Sequence, residues 1–217
     1  MAGPNAARWI GAAFAALILV ASPAAAGGPA NFPATLDSDC RDGRAKLFDE
    51  CGDQFTHLDA GLRHAQETGK TLLVSYGAEW CIWCHVLHKY LAGEHGRFDY
   101  DFVLDDGYHL RTPLFERAGT DPAAGADALA HFASENFVLV HVENRFAPNG
   151  AAVLDRLGAS EHFGGGLPFT FTVVDGHYGQ TLHSSEFETR RDTDDWFRGY
   201  DRAALLAALR ELRASSR

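Results

Sequence analysis

The stretch that decides the fold runs Ser75-Tyr76-Gly77-Ala78-Glu79-Trp80-Cys81-Ile82-Trp83-Cys84-His85. Thr71 to Tyr76 (TLLVSY) leads into it, a short apolar run with the length and composition of a buried strand. From residue 81 the period becomes helical, and Cys84, Leu87, His88 and Leu91 share one face. Two cysteines two residues apart therefore stand where a buried strand hands over to a helix. Backbone N–H groups at a helix start lack partners and the dipole is positive there, so a thiolate is stabilised. Cys81, nearer the end, is expected to be the exposed nucleophile of lowered pKa. Cys84, one turn in, is expected to be the buried resolving thiol. A Cys81 thiolate attacking a disulfide expels one thiolate and leaves a mixed disulfide. Cys84 then displaces the second sulfur and closes the ring.

Further elements follow on either side. Leu58, Leu62, Ala65 and Gln66 have helical spacing, with Gly69 placed as a C-terminal stop. Phe137 to Glu143 (FVLVHVE) is a second buried strand, and Ala151 to Leu157 a short helix. Phe169–Val174 and Thr181–Glu186 flank Asp-Gly-His-Tyr-Gly, a hairpin signal. Asp201 caps a last amphipathic helix with Leu205, Leu206, Leu209 and Leu212 on one face. Phe137, Val138, Val140 and Phe169 are expected in the core. Helices alternating with strands imply an α/β sheet with a parallel part and an antiparallel edge. The stretch 94–135 holds turn signals at Asp105-Asp106-Gly107 and Asp121-Pro122 and a helix around Ala124–Ala133, and reads as an insertion.

The segment Gly77-Ala-Glu-Trp-Cys-Ile-Trp-Cys84, its strand-then-helix context, and Gly165-Gly-Leu-Pro168 before a strand together resemble the thioredoxin superfamily. The similarity covers roughly Gln54 to Arg213. It implies a thioredoxin-like fold, a mixed central sheet flanked by helices, with an insertion after the active-site helix. It implies an oxidoreductase catalysing thiol–disulfide exchange through Cys81 and Cys84, with no cofactor and no metal. Pro168 is then cis beside the dithiol, its loop gives the substrate backbone hydrogen bonds, and Leu167, Pro168 and Trp80 border the substrate. The implied partners are disulfide- or dithiol-containing proteins and a redox partner protein. Three departures stand out. Ser75 occupies the place where members often bury an aspartate for proton transfer. Ile82-Trp83 is an uncommon intervening pair, and since that dipeptide tunes the potential, oxidase, isomerase and reductase stay open. The long span from Cys84 to Phe137 is expected to border the active-site face and choose the partner.

Residues 1–26 read as a secretory leader. Arg8 precedes the apolar run Trp9 to Ala21, and Ser-Pro and Ala24-Ala25-Ala26 follow it, with cleavage expected after Ala26. The run is shorter than the roughly 20 residues of a membrane-spanning helix. The expected product is exported, periplasmic or secreted, and free of the membrane after cleavage. The expected division is a leader (1–26), an N-terminal extension with a cysteine pair (27–52), mobile from Gly27 to about Pro33, and the main, thioredoxin-like domain (53–217). Export places thiols where disulfides persist. Cys40 and Cys51 then form a structural disulfide that stabilises by about 3 kcal/mol in the chain-entropy model, the alternative being two free buried thiols.

The 217 residues carry 19 Lys+Arg against 29 Asp+Glu, a net charge of -10, with only Lys46, Lys70 and Lys89 as lysines. Without a basic run this excludes a nucleic-acid binder. With 46% apolar and 22% charged residues, disorder is excluded as well.

Other chemistries share these residues. Cys81-Ile-Trp-Cys84-His85 is also the attachment pattern of c-type haem. The single methionine, Met1, lies in the leader, and a helix after a buried strand leaves little room for a macrocycle. Cys81, Cys84, His85 and His88 form a soft N/S set suited to Cu(I) or Zn, as in a thioredoxin-fold copper-binding protein or metallochaperone. Pro168 in its place favours exchange over metal. A non-catalytic binding domain is the third reading, and the presence of both cysteines speaks against it. Glu79 is expected at the surface, His85 and His88 on the wet or half-wet side of their helix, and Asp192, Asp194 and Asp195 in a solvated loop.

Overall fold

Two strands buried along their whole length organise the chain: β2 (Thr71–Gly77) and β5 (Phe137–Glu143). A strand covered on both faces reads as a nearly continuous apolar run, which is what both sequences show. They pair in parallel, from Thr71 opposite Phe137 to Gly77 opposite Glu143. The computed structural model describes residues 27–95, 98–103, 109–114, 122–191 and 197–216. β1 (Ala30–Phe32) adds in parallel to the outer edge of β5. On the other side β6 (Phe169–Val174) runs antiparallel to β2, and β7 (His177–Leu182) antiparallel to β6. The result is a mixed five-stranded sheet of order β1-β5-β2-β6-β7 flanked by helices, an α/β fold.

Alternation of side chains across each strand builds two cores. Leu72, Val74, Val138, Val140 and Val142 meet Leu58 of α1 (Gln54–Thr68) and Val153 and Leu157 of α4 (Gly150–Leu157). Leu73, Phe137 and Leu139 face the other way. There they meet Leu87 and Leu91 of α2 (Ile82–Leu91), Leu129 of α3 (Pro122–Asn136) and Leu205, Leu209 and Leu212 of α5 (Arg202–Ser215). Each buried leucine contributes about 1.5–3 kcal/mol of apolar transfer. Helix ends follow local chemistry. Asp53 Oδ1 accepts from Phe55 N at 3.3 Å and Asp201 Oδ1 from Ala204 N at 3.0 Å, while Gly69 closes α1 at φ 67.

The structure differs from expectation in four places. The stretch from Gly27 to Pro33, expected as a mobile extension, contains β1; pairing with β5 satisfies backbone groups that an open edge leaves unpaired. The turn after β6 is only Asp175-Gly176, at φ 52 and φ 80, the geometry that suits a two-residue hairpin. The second strand therefore starts at His177, not Thr181. The stretch 94–135, expected as one insertion, divides into two parts. Its first part is an antiparallel hairpin, β3 (Phe98–Val103) with β4 (His109–Leu114), but α3 belongs to the core through Leu129 and Ala133 and runs directly into β5. A further hairpin, β8 (Glu188–Arg191) with β9 (Phe197–Tyr200), had no sequence signal, and β4 lies against β9. Residues 1–26, expected as a leader, the turn expected at Asp105-Asp106-Gly107 and the aspartates at 192, 194 and 195 lie outside the described residues. Among the described residues no helix is long and apolar enough to cross a membrane.

Candidate functional site

β2 ends at Gly77, and Ala78-Glu79-Trp80 carries the chain into α2. Cys81 is the N-cap, with φ -79 and ψ 100, and its Sγ accepts from Cys84 N at 3.3 Å. The sulfur thus sits where the first backbone N–H groups of α2 point. Cys81 and Cys84 are joined by a disulfide, their Cα atoms 5.3 Å apart. Cys40 and Cys51 are bridged as well, at 5.8 Å.

The expectation of an exposed Cys81 fails: Cys81 is 5% exposed and Cys84 1%. The cause lies outside the helix. Leu47 and Phe48, between the bridged Cys40 and Cys51, pack with Ala78, Cys81 and Cys84, and Trp83 and Leu167 close the cluster. A Cβ on Gly77 would lie 2.6 Å from Cys84 Sγ and 2.7 Å from Phe48 Cζ, so the residue at 77 has to be small. Leu167–Pro168 is a cis peptide and Leu167 touches the cysteine cluster. Trp80 is 41% exposed, the one large apolar side chain left exposed among the described residues. Trp83 leans on Tyr200 of β9, ring centroids 5.4 Å apart, and the Tyr200 hydroxyl donates to the Trp83 carbonyl at 3.4 Å.

Glu79, expected at the surface, is buried. Its Oε2 accepts from Leu47 N and Phe48 N, both at 3.0 Å, and Oε1 lies 3.5 Å from His85 Nε2. Burial pushes the Glu79 carboxyl up to about 7, against the lowering effect of these backbone donors. His85, expected on a wet or half-wet face, is likewise buried, whereas His88 is half-buried, as a half-wet position would be. His85 Nε2 donates to the Glu79 carbonyl at 2.8 Å, and burial holds its pKa down at about 3. His88 Nδ1 lies 3.2 Å from Nε2 of His141, and burial lowers His88 to about 4 and holds His141 well below the ordinary histidine range. His141 belongs to β5 opposite Ser75, on the α2 side of the sheet, and Phe48 stands edge-on to the His85 and His141 rings at 6.3 and 5.3 Å.

The structure therefore gathers Cys81, Cys84 and Leu167 and leaves Trp80 at the rim. Cys40 and Cys51 serve it through the loop they close. Sequence reasoning missed Leu47, Phe48, Glu79 and His141. Two signals were visible: an apolar Leu-Phe pair inside a polar segment, and a histidine within an otherwise apolar strand. Among the described residues no group of three or more His, Cys, Asp and Glu could hold a metal ion. The ring nitrogens His85 Nε2 and His88 Nδ1 already have protein partners. Compared with protein-family models, curated proteins and solved structures, the chain matches none.

Proposed function

We propose that the chain is a thioredoxin-like, exported thiol–disulfide oxidoreductase acting on protein substrates through Cys81 and Cys84. The observation that carries this is the Cys81–Cys84 ring at the start of α2, with Leu167 packed against it. The mixed sheet with α2 leaving the end of β2 is compatible with the thioredoxin-like fold that the motif implies. Two disulfides in one chain are in keeping with an oxidising, periplasmic or secreted setting.

In the reduced state the Cys81 thiolate attacks one sulfur of a substrate disulfide, and the other sulfur leaves as thiolate. Cys84, deprotonated, then attacks the Cys81 sulfur of the mixed disulfide. The substrate departs with two electrons and the Cys81–Cys84 bond re-forms. The reverse sequence oxidises a substrate dithiol. Net direction depends on the potential of the pair against the partner protein that recharges it.

Replacing Cys81 with Ser is expected to abolish insulin disulfide reduction and dithiol oxidation. Replacing Cys84 with Ser is expected to accumulate mixed disulfides, visible by non-reducing electrophoresis. Undiminished exchange in the Cys81→Ser variant would sink the proposal.

A further inference from the structure

The site has an unusual wall. A nucleophilic sulfur at a helix start works by meeting another sulfur, yet Cys81 is nearly as buried as its partner. What covers it comes from a segment far away in the chain. Leu47 and Phe48 lie against both cysteines, and the backbone that carries them is held at three points. The Glu79 carboxylate accepts both of their N–H groups at 3.0 Å. Next along the chain, Asp49 Oδ2 meets His57 Nε2 of α1 at 3.0 Å, and Gln54 Nε2 donates to the Asp49 and Gly52 carbonyls at 2.9 Å. The Cys40–Cys51 bond closes the loop, and Arg41 pairs with Glu50 across it at 3.1 Å. Phe48 cannot swing outward without opening a void between the rings of His85 and His141. The cover is thus a fixed part of the site and not a loose flap.

Resting on the proposed exchange reaction, we infer that the Cys40–Cys51 loop is a specificity wall latched by Glu79, which admits narrow, flexible cysteine-bearing segments to Cys81 and rejects sulfurs held in folded surfaces. A thiol or disulfide must approach the attacked sulfur nearly in line. With Leu47 and Phe48 on one side and Trp83 and Leu167 on others, a slender extended chain can make that approach, whereas a folded surface meets the wall first. Glu79 acts here as a positioning residue: it touches no substrate and sets where Leu47 stands.

The test uses the full chain in a Cys84→Ser background, so that Cys81 is the one free thiol and needs no reductant. Its alkylation by iodoacetamide is compared with alkylation by a maleimide on a long polyethylene glycol, alongside thermal unfolding. With the wall intact, the bulky reagent should react far more slowly relative to iodoacetamide than it does with an unstructured cysteine peptide. Leu47→Ala and Glu79→Ala should each raise the bulky-reagent rate by about tenfold while changing the iodoacetamide rate little. Glu79→Gln keeps an acceptor oxygen for the two N–H groups and should stay near the parent. If Glu79→Ala fails to fold, Cys40→Ser/Cys51→Ser takes its place with the same expected direction. Equal size discrimination in parent and variants overturns the wall, and so does a Glu79→Gln rate matching Glu79→Ala. Alkylation reads access alone, so absence of exchange activity would strike the proposed function and leave this result standing.

Discussion

At the scale of single residues, position 77 shows how tightly the site is built. Gly77 is needed for space, not for backbone freedom, because its φ is not in the left-handed region. A methyl there would press on Cys84 Sγ and the Phe48 ring, both held in the core. Gly77→Ala is therefore expected to destabilise by about 1–3 kcal/mol through overpacking. Gly164→Ala, where a Cβ meets nothing within 4 Å, should stay within about 0.5 kcal/mol of the parent. Urea unfolding of both variants checks this, and equal losses would refute it. The glycine and both cysteines were plain in the sequence. That the glycine had to accommodate Phe48 was not, because nothing local links position 48 to position 77.

At the scale of elements, starts and stops were the most legible features. Asp201 before an amphipathic run and Gly69 after one are capping signals that act within a turn of chain, and both are present as read. Asp201→Ala removes the acceptor for Ala204 N and should cost about 1 kcal/mol, measured by urea midpoint, with no change in Cys81 alkylation. An unchanged midpoint would mean that α5 is held by Leu205, Leu209 and Leu212 alone. Opening the Cys40–Cys51 staple by a double Ser substitution should cost about 3 kcal/mol if chain entropy dominates. Oxidised and variant chains compared in urea without reductant decide that, and a loss below about 1 kcal/mol would mean that the loop's hydrogen bonds suffice to hold it. Elements that depend on distant partners were harder to read. β1 is three residues long and gains its order from the edge of β5, while β8 (Glu-Thr-Arg-Arg) and β9 (Phe-Arg-Gly-Tyr) are short and show no clear alternation of apolar and polar residues.

At the scale of the whole molecule, the buried titratable groups set how stability responds to pH. His85 and His88 fall to about 3 and about 4 from 6.5, and His141 falls too, all through burial. Each is neutral in the folded chain and takes up a proton on unfolding. The stability this supplies is complete above 6.5 and is lost as pH falls toward the folded values. Glu79, raised from 4.5 to about 7, works in the opposite sense: its contribution is complete below 4.5 and is lost as pH rises through 7. Three histidines outweigh one carboxyl, so stability should rise with pH from the acid side to about 6.5. Glu79→Gln removes the opposing trend and should steepen the rise between 4.5 and 7. Urea midpoints across that range test it; coincident slopes for parent and variant would show that Glu79 does not titrate there.

Sequence by itself determined what depends on neighbours a few residues away. The strand-to-helix junction that presents Cys81 and Cys84, the two fully buried parallel strands and the capped helix ends all follow from period, propensity and short-range hydrogen bonding. Tertiary structure alone decided burial at the site. Glu79 receives Leu47 N and Phe48 N across 32 and 31 positions of chain, and His88 meets His141 across 53. Burial is a property of all segments that meet at a point. A glutamate beside a cysteine therefore reads as solvent-facing until Leu47 and Phe48, tied down by Cys40–Cys51, are folded over it.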